Sequence, residues 1–453
     1  MSLLVATVMA VSAMLFVLVM AAESQETPPQ KPNVVLFMAD DLRATDLEHM
    51  PNVQRLLVER GTTFENHTIT LPTCCPSRVS YLRGQYPHNH EIGYGATASE
   101  QAFRNRGYGR QTVGTWADEE GYRTAWIGKY LNGFDDPGHV PPGWDRFYAN
   151  VDRDVWSREF AANGQLRTRP DGNIDANLGG QGEEFIRSGG GPMLLVQNFN
   201  APHQFKNGPP PAPDNDLRKF HAEPLRTPAF NEDDVSDKPP YIAASRTLQP
   251  EQIREIGIEQ KHRLASLQVV DRQVSAILGA LAARGELDNT YVFFTSDNGY
   301  HMGEHRLEQG KMTPYATDVE VPLVVRGPSV ARGSVSQKMV ENIDFAPTVA
   351  DLAGHELPAF VDGKSMVPLL ENPAAPWREY SHLEARNKHP FVGAAKPNGT
   401  SYARYDTGFE ELYLPGDPHQ LKNVAGDPAH AALEAEMEAA LEAAHGCQGA
   451  ECP

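Results

Sequence analysis

The chain lacks what a disulfide scaffold or a polyanion-binding protein needs. Four cysteines in 453 residues cannot staple a fold of this length. Lys and Arg number 40 against 59 Asp and Glu, a formal charge of −19. Proteins that track nucleic acid or coat anionic membranes need clustered cations, so no nucleic-acid partner is expected. An anionic ligand must then be held by a few basic groups focused in one cleft. No internal repeat is visible, and no Lys or Arg precedes Lys31. Residues Leu3 to Ala22 are apolar apart from Thr7 and Ser12, and Val19-Met20-Ala21 resembles a small-residue cleavage site. Residues 1–22 therefore read as a signal peptide or an N-terminal anchor, with export favoured. Either reading makes the mature chain secreted or extracytoplasmic, with membrane contact only if the segment stays uncleaved. Cys447 and Cys452, close together near the C-terminus, are the expected bridge in that compartment.

Apolar residues at 40% and charged residues at 22% provide for a substantial core and exclude a disordered chain, a collagen or a coiled coil. Apolar runs of strand type occur at Val34–Met38, Thr124–Ile127, Met193–Asn198, Tyr291–Thr295 and Leu323–Val325. Helical patterns lie between them, at Pro51–Gly61, Pro76–Gly84, Val113–Glu120 and Glu251–Arg284. This alternation predicts an α/β fold: a large, mostly parallel central sheet covered by helices on both faces. Two stretches rich in Pro, Gly and polar residues, 150–191 and 205–248, read as loop excursions. Beyond about Pro376, short aromatic segments predict a small antiparallel sheet with an amphipathic helix around Leu433, Met437 and Leu441. The expected organisation is a catalytic domain over 31–375 and a C-terminal subdomain over 376–453.

Asp40-Asp41 end the first strand and Asp297-Asn298 follow the strand Tyr291–Thr295. In parallel sheets, ligands bind at the carboxyl ends of strands. Three carboxylates and one amide converging there suit a hard divalent cation, Ca²⁺ or Mg²⁺. The other reading of each pair alone is a turn or helix cap. Cys74-Cys75-Pro76-Ser77-Arg78 places a cysteine just ahead of a Pro-initiated helix and beside an arginine.

Cys-x-Pro-Ser-Arg is also the sequence converted to formylglycine in sulfatases. On this motif the chain resembles the type I sulfatases of the alkaline phosphatase superfamily, and its spacing makes Cys74 the modified residue. The resemblance extends through Lys31-Pro32-Asn33, Gly128-Lys129-Tyr130-Leu131-Asn132, Ala201-Pro202-His203, the segment Thr295–His301, Lys311, Arg326-Gly327-Pro328 and Asn342-Ile343-Asp344. With Tyr-Pro-His-Asn-His at 86–90, it points to the N-acetylglucosamine-6-sulfatase and heparan endosulfatase branch. The long basic insertion of the endosulfatases is missing.

The resemblance implies hydrolysis of a carbohydrate sulfate monoester, such as N-acetylglucosamine 6-sulfate, through the hydrated aldehyde at residue 74. It implies a cation, Ca²⁺ or Mg²⁺, held by Asp40, Asp41, Asp297, Asn298 and residue 74. Arg78, Lys129 and Lys311 would stabilise charge, and His203 would protonate the leaving oxygen. A formylglycine-generating enzyme is the implied partner besides the sulfated sugar. Leu131 stands where many sulfatases carry histidine, with His301 as a substitute for that base, and Arg83 replaces the usual threonine of the maturation signal. Two alternatives stay open: a phosphonate or phosphate ester hydrolase of the same superfamily, and a catalytically silent carbohydrate-binding protein with Cys74 unmodified.

Overall fold

Seven successive residues, Asn33–Ala39, form strand β1, and all seven are buried. Val34, Leu36 and Met38 enter one apolar cluster while Val35, Phe37 and Ala39 enter another. A strand whose alternate side chains are both buried must be covered on both faces. Val79, Trp116 and Val349, from helices Cys74–Arg83, Val113–Glu119 and Phe345–Ala353, cover the first face. Val53, Leu178 and Val274, from helices Pro51–Leu56, Ile174–Arg187 and Pro250–Ala283, cover the second. The computed structural model describes residues 31–93, 99–151, 157–169, 171–206, 208–386 and 388–453. The signal or anchor at 1–22 lies outside the described residues.

The remaining strands are β2 Thr62–Phe64, β3 His67–Thr68, β4 Arg123–Gly128, β5 Arg146–Asn150, β6 Glu159–Ala162, β7 Gln165–Thr168, β8 Met193–Asn198, β9 Thr290–Ser296, β10 Leu323–Arg326, β11 Ser334–Ser336, β12 Val340–Glu341, β13 Ser381–Ala385, β14 Phe391–Ala395, β15 Ser401–Tyr405 and β16 Glu410–Tyr413. Ten of them make one sheet in the order β11-β2-β10-β9-β1-β8-β4-β5-β6-β7. Its centre, β9-β1-β8-β4-β5, is parallel throughout, with Val35 paired to Leu195 on one side and to Val292 on the other. β10 and the β5-β6-β7 edge are antiparallel. β13 to β16 form a separate antiparallel sheet, on which Met437 and Leu441 of helix Ala431–His445 pack against Ala394, Tyr402 and Leu412. The fold is thus the α/β architecture and small C-terminal sheet that the pattern predicts.

Two expectations need correction. The stretch 150–191 is no loop: it holds β6, β7 and helix Ile174–Arg187. Glycines hid that helix, and they serve close packing, since a Cβ at Gly182 would stand 2.3 Å from Gln197 Oε1. The helix expected from Pro76 starts at Cys74, after an extended Thr73. Pro76 falls in the first turn, where a missing N–H breaks no intrahelical bond.

Candidate active site

Four adjacent parallel strands deliver the polar groups. Asp40 follows β1, Asn198 ends β8, Lys129 follows β4 and Asp297 follows β9, all at the carboxyl edge. Lys129 can turn into the site because Gly128 has φ +101° and runs so close to β8 that a Cβ would lie 1.8 Å from the Asn198 carbonyl oxygen. Asp41 adopts φ +68°, with its N–H on Asp297 Oδ1 at 3.1 Å. Its carbonyl oxygen accepts from Arg263, whose Nη1 donates to Pro202 O at 3.1 Å, so one buried guanidinium ties the metal-type segment to the histidine segment.

Helix Cys74–Arg83 is buried at every residue and aims its N-terminus at this edge. Cys74 Sγ, the atom standing where the formylglycine oxygens would be, lies 3.6 Å from Asp40 Oδ1 and 2.8 Å from Lys311 Nζ. Burial pushes the Cys74 thiol up to about 12 despite Lys129 and Lys311, so an unconverted residue 74 is a protonated, poor nucleophile at neutral pH. Cys75 points into the apolar core instead.

Arg78 is fully buried. Its Nε donates to Asp297 Oδ2 at 2.9 Å and its Nη1 to Asn198 Oδ1 at 2.8 Å and Lys129 O at 3.0 Å. Only Nη2 has no hydrogen-bond partner, 3.6 Å from Asp40 Oδ2. Lys129 Nζ contacts Asp40 Oδ2, and Lys311 Nζ contacts Asp41 Oδ1 and reaches Asn298 Oδ1 at 3.4 Å. Burial opposes the charge on Asp40, yet Lys129, His203, Arg78 and Lys311 outweigh it and hold that carboxyl well below the usual range. Asp297 moves the other way, pushed up by burial and then by Asp40. His203 Nε2 faces Asp41 Oδ2 at 3.8 Å, and its Nδ1 pairs with Gln204 O at 2.8 Å.

The donor set fits a hard divalent cation. Ligand atoms of Asp40, Asp41, Cys74 and Asp297 all lie within 4.8 Å of one another, fully enclosed, with the Asn298 amide beside them. Three carboxylates face three cations, Arg78, Lys129 and Lys311, so the protein groups alone cancel. A divalent cation makes the cleft net positive, the state an anionic ester requires.

Leu131 joins the apolar core beside Tyr130 and Phe134. His301 presents Nδ1 to both Asp318 carboxylate oxygens at 3.0 Å, and Asp318 Oδ2 also accepts from Thr313 N at 2.9 Å. With the His301–Gly310 bridge, this braces the loop that carries Lys311. Arg83, in place of the usual threonine, is stacked 3.9 Å above Tyr108 and donates to Gln85 Oε1 at 2.8 Å. Sequence reasoning missed Asn198, although its place at a strand end is the signal that found Asp40. It also missed Asp175, whose carboxylate accepts Asn200 N at 2.7 Å and Ala201 N at 3.2 Å and so sets the turn before His203.

A family model described as Sulfatase matches residues 32–355. The chain belongs to the sulfatase family. A second model, described as N-sulphoglucosamine sulphohydrolase, C-terminal, matches residues 303–446. The chain is 32% identical to the extracellular sulfatase SULF-1 homolog of Drosophila melanogaster over 77% of its length, spanning about a third (32%) of that protein. It is 30% identical to the N-acetylglucosamine-6-sulfatase of Capra hircus, over 93% of this chain and 85% of that one. A solved protein in complex with its substrate D-glucosamine-2-N,6-O-disulfate shares the fold with TM-score 0.73 and 22% identity, covering 91% of this chain and 97% of that one. The chain is also 25% identical to the multifunctional alkaline phosphatase superfamily protein PehA of Trinickia caryophylli, over 88% of this chain and 92% of that one. The family implies a metal and a formylglycine, and the cluster at Asp40, Asp41, Cys74 and Asp297 is where both would meet.

Proposed function

We propose that this chain hydrolyses carbohydrate sulfate monoesters, with N-acetylglucosamine 6-sulfate or a short oligosaccharide 6-sulfate as substrate. The observation that carries the reading is the convergence of Lys129, Lys311 and Arg78 Nη2 with three carboxylates around residue 74 at the head of one buried helix. A formylglycine at residue 74 would supply a hydrated aldehyde as nucleophile, and a bound Ca²⁺ would supply the Lewis acid that acidifies it. Asp40, Asp41, Asp297 and Asn298 would hold the cation, and Arg78 holds Asp297 and Asn198 in place from behind. Lys129 and Lys311 bind sulfuryl oxygens and offset the charge that grows as the ester bond breaks. His203 keeps Nδ1 on the Gln204 carbonyl, so the proton it gives the departing sugar oxygen leaves from Nε2, which faces the site.

The goat enzyme's name and the glucosamine ligand of the structural neighbour support a glucosamine 6-sulfate. Net charge −19 supports a short substrate, because long polyanions are repelled beyond the few neutralised positions. The Cys447–Cys452 disulfide supports action outside the cytoplasm, in a compartment where a formylglycine-generating enzyme would meet Cys74. No helix among the described residues is long and apolar enough to cross a membrane.

The test compares initial rates on N-acetylglucosamine 6-sulfate, the matching 6-phosphate and heparan sulfate polymer at low and high salt. The monosaccharide sulfate should turn over fastest, and salt should favour the polymer by screening. Faster phosphate hydrolysis would overturn the sulfatase reading, and faster polymer desulfation at low salt would overturn the small-substrate reading.

A further inference from the structure

A second cluster of metal-ligating side chains lies away from the residue-74 site, beyond the C-terminal end of the helix that carries it. His88 stands on the short helix Pro87–His90, His382 and Glu384 on β13, and His445 at the end of helix Ala431–His445. One ligand atom from each of the four lies within 4.8 Å of the others.

The polar accounting here does not close with protein groups. The His382 side chain is fully enclosed, yet neither ring nitrogen has a hydrogen-bond partner, and its approach to Glu384 Oε1 is 3.8 Å. Glu384 Oε2 and His445 Nδ1 are likewise buried without a partner, the nearest cation to Glu384 Oε2 being the half-exposed Arg386 at 3.7 Å. Buried polar atoms are almost always satisfied, and an imidazole can turn only one nitrogen to a given ion, so one His382 nitrogen together with Glu384 Oε2 and His445 Nδ1 points to a missing common partner. Glu384 Oε1 is already used, accepting the His88 backbone N–H and pairing with His88 Nδ1, both at 2.9 Å. A carboxylate that fixes a ligating imidazole in this way is a recurrent support in metal sites.

Ring spacing fits a tetrahedral ion, and the donor set selects the metal. Centroids of His88, His382 and His445 form a nearly equilateral triangle with sides of 5.4, 5.6 and 5.6 Å. Imidazoles bound at about 2.0–2.1 Å on a tetrahedral ion stand with centroids about 5 Å apart. Three imidazoles and one carboxylate are a borderline donor set, poor for Ca²⁺ or Mg²⁺ and suited to Zn²⁺.

We propose that His88, His382, Glu384 and His445 bind one Zn²⁺, which clasps the C-terminal sheet and last helix to the segment following the nucleophile helix. The surroundings are built for such a clasp. Asn89 Nδ2 donates to Cys447 O at 3.0 Å and to Asp362 Oδ2 at 2.9 Å, and Gly449 N donates to Asp362 Oδ1 at 2.6 Å. The Cys447–Cys452 disulfide closes the loop directly after His445. The ion is structural: four protein ligands leave it no open position for a substrate.

The test loads the full chain with ZnCl₂ in the presence of excess Ca²⁺, which fills the oxygen site, and measures bound zinc and thermal midpoint. The wild type should hold one more equivalent of zinc than His382→Gln and than His445→Gln, with zinc affinity weakened at least tenfold in each. His445 is only partly buried at a helix end, so His445→Gln keeps the fold even if His382→Gln does not. Zinc should raise the midpoint of the wild type and not that of His445→Gln, while Asp297→Asn should take up this zinc normally. Equal zinc content in wild type and His445→Gln, or loss of the zinc in Asp297→Asn, would overturn the assignment.

Discussion

Lys129→Met removes one cation of the cradle, and with it a charge partner of Asp40, while leaving residue 74 and the oxygen ligands themselves unsubstituted. Lys129 is buried, its Nζ contacts Asp40 Oδ2, and Asp40 Oδ1 lies 3.6 Å from Cys74 Sγ, so a sulfuryl oxygen on residue 74 falls within about one further contact distance. A unit-charge pair at about 4 Å and an effective dielectric of about 20 is worth about 4 kcal/mol. Removal of one preorganised donor from comparable anion holes costs about 2.7–4 kcal/mol, about 10²–10³ in kcat. The two magnitudes agree. The ester is already an anion before reaction, so KM rises too, but the larger loss falls on kcat because charge builds on the departing oxygen. The assay is kcat and KM on a sugar 6-sulfate, with residue-74 conversion and metal content measured on the same samples. A variant that keeps its aldehyde and its metal and turns over within threefold of wild type would refute the role given to Lys129.

Cys74→Ala should abolish turnover with the fold retained, whereas Cys75→Ala should keep activity and lose about 1 kcal/mol of stability, because Cys75 only packs in the core; denaturant titration with activity assay checks both. Asp297→Asn should lose Ca²⁺ and activity together and leave Arg78 Nε short of a charged partner; elemental analysis showing full metal occupancy would contradict this. His67 and His90 are buried rings whose proton affinity burial lowers, to about 4 and about 3 respectively. Below pH about 6.5 the unfolded chain takes up protons that the folded chain refuses, so stability present at neutral pH falls on acidification by about 2 kcal/mol per ring at pH 5. Urea midpoints at pH 7 and pH 5 measure the loss, and His90→Asn should remove its share of the pH dependence.

The central sheet was legible because its strands are continuous apolar runs that stop at charged or polar residues. Asp40-Asp41 and Asp297-Asn298 stood out for the same reason, as carboxylates at the end of buried strands. Asn198 obeys the same rule and was overlooked only because an amide is less conspicuous than a carboxylate. The motif puts Arg78 beside the reaction; the structure adds that three of its four bonds and contacts brace Asp297, Asn198 and the Lys129 carbonyl, which no spacing rule predicts. Helix Ile174–Arg187 was hidden by its glycines, whose purpose appears only when the neighbouring strand and helix are in place. The histidine cluster gathers residues 88, 382, 384 and 445 from distant parts of the chain, so nothing local marks it.

The most direct measurement is the mass of the tryptic peptide Gly61–Arg78, fragmented so that residues 74 and 75 are told apart, across preparations that differ in activity. The account predicts an aldehyde in place of the thiol at residue 74, an intact thiol at residue 75, and turnover of N-acetylglucosamine 6-sulfate proportional to the converted fraction. Full turnover by chains carrying both thiols unconverted would contradict it.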